Sequence, residues 1–131
     1  MIFPTTRSVF FALGIYLLLG CAGTLNADAM PGQKTTGLAT WYADKLHGRT
    51  TASGEKYDKN AMTAAHRELP FGTVVRVVNL ANMKSVQVRI NDRGPFNNKK
   101  RIIDLSRAAA TQIDMIQAGV VEVEIEILQR P

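Results

Sequence analysis

Thr73-Val74-Val75-Arg76-Val77-Val78-Asn79-Leu80, continued through Ala81-Asn82-Met83-Lys84 into Ser85-Val86-Gln87-Val88-Arg89-Ile90-Asn91, is the stretch on which the fold turns. Val86, Val88 and Ile90 alternate with polar residues, the period of a pleated strand with one face buried. Val74, Val75, Val77 and Val78 supply the β-branched side chains that pack well on such a surface. The connection from Ala81 to Lys84 has hairpin length, and Asn82 is its residue best suited to the left-handed conformation.

Working outward, Leu38 to Ala43 is β-like and carries Trp41 and Tyr42, and Ile102 to Leu105 is a short apolar strand. From Val120 to Leu128, Val121, Val123, Ile125 and Ile127 alternate with Glu122, Glu124 and Glu126, which predicts a strand buried on one face and acidic on the other. Ser106 is placed to cap a helix running to about Ala118, with Ala108, Ala109, Ile113 and Ile116 on one side and Gly119 as its stop. Six or so strands and one short helix in about 95 residues cannot cover both faces of an open sheet. Closure into a small, mainly β barrel removes the exposed edges.

The chain has 131 residues, 46% of them apolar, which suits one compact core. Arg7 precedes the apolar run Val9 to Leu19, the charge-then-apolar order of a secretory signal, and the run is shorter than the ~20 residues a spanning helix needs. Leu18-Leu19-Gly20-Cys21 resembles the lipobox of bacterial lipoproteins, so 1–20 is expected to be a signal peptide and Cys21 the lipid-bearing residue. The alternative is cleavage near Ala27-Asp28-Ala29, which gives a soluble periplasmic protein. Either way the protein is expected to be exported, and the lipid reading makes it a membrane-anchored lipoprotein facing the periplasm. Small polar residues at 21–36 suggest a flexible tether, and 37–129 the folded domain. With Cys21 the only cysteine, no disulfide can staple that domain.

Without Arg7 the charges are 15 basic against 11 acidic, a modest +4. The Lys99-Lys100-Arg101 cluster near Arg93 can meet phosphates and equally suits an anionic wall polymer or the carboxylates on muramic acid. Its plain reading is a solvated loop, and export argues against nucleic acid as partner. Two histidines and no thiol at ligand spacing argue against a metal, and no cofactor motif is present.

Four short stretches place ionisable groups beside a strand end or turn: Gly54-Glu55-Lys56-Tyr57-Asp58, Thr63-Ala64-Ala65-His66, Asn91-Asp92-Arg93-Gly94-Pro95 and Ile103-Asp104-Leu105-Ser106. A carboxyl at a barrel rim is half desolvated, which raises its pKa toward the range where it donates a proton, as glycoside cleavage requires.

These residues carry a resemblance. The order Ala39-Thr40-Trp41-Tyr42, His47 to Glu55, Leu69-Pro70-Phe71-Gly72-Thr73, Asn91 to Phe96 and Ile103 to Ser106 resembles the rare lipoprotein A (RlpA) family over residues 37 to 128. The resemblance implies a six-stranded double-psi β-barrel of barwin and expansin type, with one short helix, acting on peptidoglycan glycan strands. It implies endolytic cleavage of the MurNAc-GlcNAc β-1,4 bond with 1,6-anhydroMurNAc formation. It places Glu55, Asp58, His66 and Asp92 around the cleft, Asp92 as leading acid and base and His66 and Glu55 beside it. Asp104 matches an aspartate that related barrels use and stays an alternative acid. Its position two residues before Ser106 suggests that helix N–H groups favour its ionised form. Arg93, Asn91, Trp41 and Tyr42 are expected to bind substrate.

Each of these residues also has a structural reading. Asp92 can bond turn amides, His66 can be a satisfied core histidine, Glu55 and Asp58 can be solvated charges, and Trp41 and Tyr42 can be core. Many family members continue into a glycan-binding domain, whereas this sequence stops at Pro131, so targeting is expected from the barrel, the lipid or a partner. Met83 stands where a glycine is expected in the hairpin. Two other functions remain open: a non-catalytic, expansin-like wall-binding lipoprotein, and a tethered protein that engages cell-division or cell-wall machinery.

Overall fold

A computed structural model describes residues 24–131. The expected signal and Cys21 lie outside the described residues. The elements in chain order are β1 (Lys34–Trp41), a 3₁₀ turn (Asp44–Leu46), β2 (Thr63–Ala65), β3 (Val74–Asn79), β4 (Ser85–Asp92), β5 (Arg101–Leu105), α1 (Arg107–Gln112) and β6 (Val121–Gln129). The strands close in the order β1-β5-β2-β4-β3-β6, with β6 pairing back onto β1. β1 runs parallel to β5 and β2 parallel to β4, and the other four pairs are antiparallel. This is the expected six-stranded barrel with one short helix.

The alternation read from the sequence is what fills it. Val75 and Val77 of β3, Val88 and Ile90 of β4, Ile103 and Leu105 of β5, and Val123, Ile125 and Ile127 of β6 are all buried in one cluster. On the outer face of the β3–β6 pair, Arg76 meets Glu126 at 2.8 Å. β2 is the strand that periodicity missed. Its three residues are all buried, too short for a period to show and partly built from alanine, whose small side chain lets β4 and β5 close around it.

Three expectations are corrected. Residues 24–36 are not a free tether: Leu25 and Ala29 join the core, and β1 already begins at Lys34. Backbone groups hold this segment, since Gly32 N–H donates to Ile127 O at 2.8 Å and Ile127 N–H to Gln33 O at 3.0 Å. Composition hides such main-chain pairing.

The helix stops at Gln112, not near Ala118. Asp114 takes φ 57°, Asp114 N–H donates to Thr111 O and Met115 N–H to Ala110 O, which is a Schellman ending with buried Met115 as its apolar contact. The Asn79 and Asn82 side chains both donate to Ile113 O, satisfying a carbonyl that the helix end leaves open. Ser106 does cap the other end, accepting from Ala109 N–H at 3.2 Å.

In the hairpin the left-handed residue is Met83, φ 63°, and not Asn82. Asn82 instead accepts from Lys84 N–H at 2.8 Å. A side chain at that φ is strained, and Met83 is exposed, so its removal loses no packing. Met83→Gly should therefore raise the unfolding free energy by roughly 0.5–1 kcal/mol, read from chemical denaturation at constant m-value.

Candidate active site

Strand alternation would send Asp92 inward behind Ile90 and Arg101 inward beside Ile103. Neither happens, because both parallel pairs slip by one residue. Ala64 pairs with Ile90 but Ala65 with Asp92, and Leu38 pairs with Arg101 but Ala39 with Ile103. The extra residues, Asn91 and Ile102, turn Asp92 and Arg101 out of the core. A continuous cross-strand row results: Thr40 on β1, Asp104 on β5, Ala65 on β2 and Asp92 on β4. The two acids flank a residue with only a methyl side chain, their Cα atoms separated by two strand spacings, roughly 10 Å.

Asp92 is arranged as an acceptor. Its Oδ1 takes the backbone N–H of Ala52 at 2.8 Å and of Arg93 at 2.9 Å, and its Oδ2 takes the Tyr42 hydroxyl at 2.5 Å. The Tyr42 ring stacks on Tyr57 with centroids 4.4 Å apart. Burial, then the bond to Asp92, pushes the Tyr42 hydroxyl far above its usual value, so it remains a donor at any working pH.

Asp104 has the opposite setting. Burial pushes its carboxyl above the ordinary carboxylate value, with the Asp92 charge adding, while the hydroxyl of Thr40, its hydrogen-bond partner, and the Arg101 charge pull the other way. The expectation that helix N–H groups hold Asp104 ionised is corrected. Those groups are spent elsewhere: Arg107 N–H on the Tyr57 hydroxyl, Ala108 N–H on Lys59 O and Ala109 N–H on Ser106.

Thr40, Trp41, Tyr42, Asp92, Arg93, Asn97, Arg101 and Asp104 line one open depression, and a second continues it past Arg49, Thr50 and Tyr57, sharing Tyr42 and Asp92. Together they form a groove across the row of acids. Trp41 serves both as wall and as support, since it also packs on the core and carries the Arg107 guanidinium 5.5 Å from its ring centre.

The remaining candidates stand apart from this groove. His66 is buried, its Nδ1 accepting Glu68 N–H and Leu69 N–H, both at 3.1 Å, so the ring proton sits on Nε2. Its side chain borders a separate hollow with Leu25 and Ile102, and only its backbone N–H reaches Asp92, at the carbonyl. Glu55 grips Arg89 through two bonds of 2.6 and 2.8 Å, which hold its carboxyl below the usual range. Buried Asn91 accepts Ser53 N–H on its carbonyl at 3.3 Å and lies outside the groove lining. Asp58 is exposed and caps Asn60 N–H. Arg93 lines the groove, yet its Nη1 donates to Leu69 O at 2.8 Å and its guanidinium lies 4.0 Å over Phe71. The sequence reading gave Thr40 and Tyr57 no role, although both lie inside quoted stretches, and it placed Arg101 only within a basic cluster, because no sequence period signals the slips that aim the side chains.

The chain matches the family model described as lytic transglycolase over residues 34–125. It belongs to this family of RlpA-type double-psi barrels. A Campylobacter jejuni protein named endolytic peptidoglycan transglycosylase RlpA is 52% identical over 97 residues, 74% of this chain and 35% of that protein. A Synechocystis protein named probable endolytic peptidoglycan transglycosylase RlpA is 49% identical over 118 residues, 90% of this chain and 36% of its own. This RlpA-type barrel thus spans about a third of the length of these curated relatives. Among solved structures, the Streptomyces papain inhibitor matches with TM-score 0.63 and 26% identity over 78% of this chain and all of its own. An expansin from Clavibacter michiganensis shares the fold, with TM-score 0.58 and 22% identity over 75% of this chain and 52% of its own.

Burial, reinforced by the Arg67 and Arg93 charges, lowers the His66 pKa from 6.5 to about 4. A depressed value means that stability is fully present above pH 6.5 and is lost as pH falls toward 4, by about 3 kcal/mol for this group. His66→Asn, which can keep an acceptor near Nδ1, should flatten that part of the stability–pH curve in urea titrations. An unchanged slope would remove His66 as its source.

Proposed function

We propose that this chain is a lytic transglycosylase that cleaves MurNAc-GlcNAc β-1,4 bonds in peptidoglycan and closes a 1,6-anhydroMurNAc ring. Membership of the family and the names of its relatives support the reaction class. The observation that carries the assignment to residues is the row in which Asp104 and Asp92 flank Ala65, one half-buried with its pKa raised and one held by three donors.

Asp104 is the proton donor in this reading. Its raised pKa keeps the proton closer to neutral pH, and the proton passes to the glycosidic oxygen as the bond to C1 of the muramyl residue breaks. The muramyl C6 hydroxyl then attacks C1 and gives its proton to Asp92, leaving Asp104 ionised and Asp92 protonated until solvent exchange resets both. Tyr42 keeps the Asp92 carboxylate oriented. This divides the task that the sequence reading gave to Asp92 alone. Trp41 offers a ring face for a sugar, while His66, Glu55 and Asn91 act through the loops and turns they hold.

Export fits the same reading. The apolar run before Cys21 directs the chain across the membrane, and Cys21 carries the lipid, which leaves the barrel at the envelope beside its substrate. Leu25 is buried in the core, so only a few residues separate the acylated cysteine from the barrel. Labelling cells with a palmitate analogue should mark wild-type chain and leave Cys21→Ala unmarked, whereas equal labelling would exclude Cys21.

Asp92→Asn preserves the geometry, because its Oδ1 still accepts both amides and its amide can donate to Tyr42. Asp104→Asn removes the proton without removing volume. Each should lower the rate of anhydromuramyl product release from glycan strands by about 10²-fold or more, measured by mass spectrometry, with thermal stability retained. Wild-type activity should fall as pH rises through the Asp104 value, a limb displaced upward from the ordinary 3.8. Full activity in either variant would remove that residue from its role, and glycan binding without new chain ends would make the barrel a binding module.

A further inference from the structure

Four arginines approach the groove: Arg49 is exposed at its far end, and of the three near Asp104 two are already committed to the protein. Arg67 donates through Nη1 to Pro95 O at 2.7 Å and Arg101 O at 2.8 Å, and through Nη2 to Lys99 O at 3.2 Å. Arg93 is fixed on Leu69 O and the Phe71 ring. Arg101 differs. The slip at Ile102 turns it to the face that carries Asp104, it lines the groove, and its Nε is buried with no hydrogen-bond partner. Among the described residues it forms no ion pair.

A guanidinium held this way lacks an acceptor that the fold does not supply. With Nε buried and no hydrogen bond from the side chain among the described residues, the guanidinium is held at the groove with its outer nitrogens left for a ligand. A carboxylate there can take a charge-assisted, two-pronged bond that a solvated lysine does not offer. Its main chain is pinned, by Arg67 on its carbonyl and by its own N–H to Asn98 O at 3.1 Å, which holds the side chain's base in place. Half-buried Asp104, on the same face, forms no ion pair with Arg101 among the described residues.

We propose that Arg101 is the specificity-determining residue of the groove and reads a carboxylate on the glycan. The inference rests on the glycan-cleaving reading above. Peptidoglycan offers two carboxylate sources, the lactyl ether of muramic acid when its peptide is absent and the peptide's own carboxyls when it is present. A plain N-acetylglucosamine polymer offers neither.

The test compares binding of the full chain to three oligosaccharides of equal length by calorimetry or NMR. One is a GlcNAc-MurNAc oligomer with free lactyl carboxyls, one is the same oligomer with those carboxyls converted to primary amides, and one bears stem peptides. Wild type should bind one of the two carboxylate-bearing forms about tenfold or more tighter than the amide form, and which one it prefers identifies the source. Arg101→Gln should lose that preference with unchanged affinity for the amide form and unchanged or higher melting temperature. Arg101→Lys should recover part of it. Equal binding of all three by wild type, or a preference that survives Arg101→Gln, overturns the proposal. No binding of any oligomer and no anhydro product would instead sink the glycan reading itself, and this inference with it.

Discussion

Strand alternation lets a closed barrel send only every second residue to one face, and the groove exists because two of this barrel's three register slips, those at Asn91 and Ile102, break that rule beside it. Both slips fall in parallel pairs, where bulges are rare, and each lies within two residues of a groove acid. Without the extra residue at Asn91, Asp92 would enter the layer occupied by Ile90 and carry a charge into an apolar interior. Without the one at Ile102, Arg101 would do the same beside Ile103. The slips spare the core two buried charges and place both on the face that carries Asp104. The core and the site are therefore two outcomes of one register.

The long connection between β1 and β2 is the other half of the groove, and it has little regular structure of its own. It is folded over by the Thr50–Lys56 bridge and the turn at Gly54, φ 97°, and buried Tyr57 pins it to the barrel. Its ends are fastened to functional groups: Ala52 N–H to Asp92, Glu55 to Arg89, and Lys59 O and the Tyr57 hydroxyl to the first turn of α1. Asp92 thus ties the loop while facing the groove. An alanine there would release the loop as well as the carboxylate, which is why the amide is the informative replacement.

The parts of the fold that depend on side-chain period were legible in the sequence. β3, β4 and β6 announce themselves through alternating valine and isoleucine, and Ser106 marks the start of α1. What was hidden depends on the backbone. β2 is too short to show a period, residues 24–36 are held by main-chain bonds to β6, and the helix ends on a left-handed Asp114 that no glycine flags. The site divided along the same line. Asp92 and Asp104 were readable as acids at strand ends, and Trp41 and Tyr42 as aromatics beside them. That Glu55 turns to Arg89, that Asn91 is buried beneath Ser53, and that His66 spends Nδ1 on two amides, follows from chain paths that residue types do not encode.

Two carboxyls in one groove can take different roles only if their surroundings differ, and here burial and uncharged donors lead that difference, with nearby charges as smaller contributions. Asp104 is set apart by lost water, with a single hydroxyl from Thr40 in return. Asp92 faces two amides and a phenol whose own ionisation is suppressed by burial and by that same carboxylate. No arginine forms an ion pair with either acid among the described residues, although Arg67, Arg93 and Arg101 all lie close by. A guanidinium clamped on Asp104 would pull its pKa down against the burial that raises it. Committing Arg67 and Arg93 to backbone carbonyls prevents such a clamp. The same bonds that finish the turns around Leu69 and Pro95 therefore leave burial as the leading influence on Asp104.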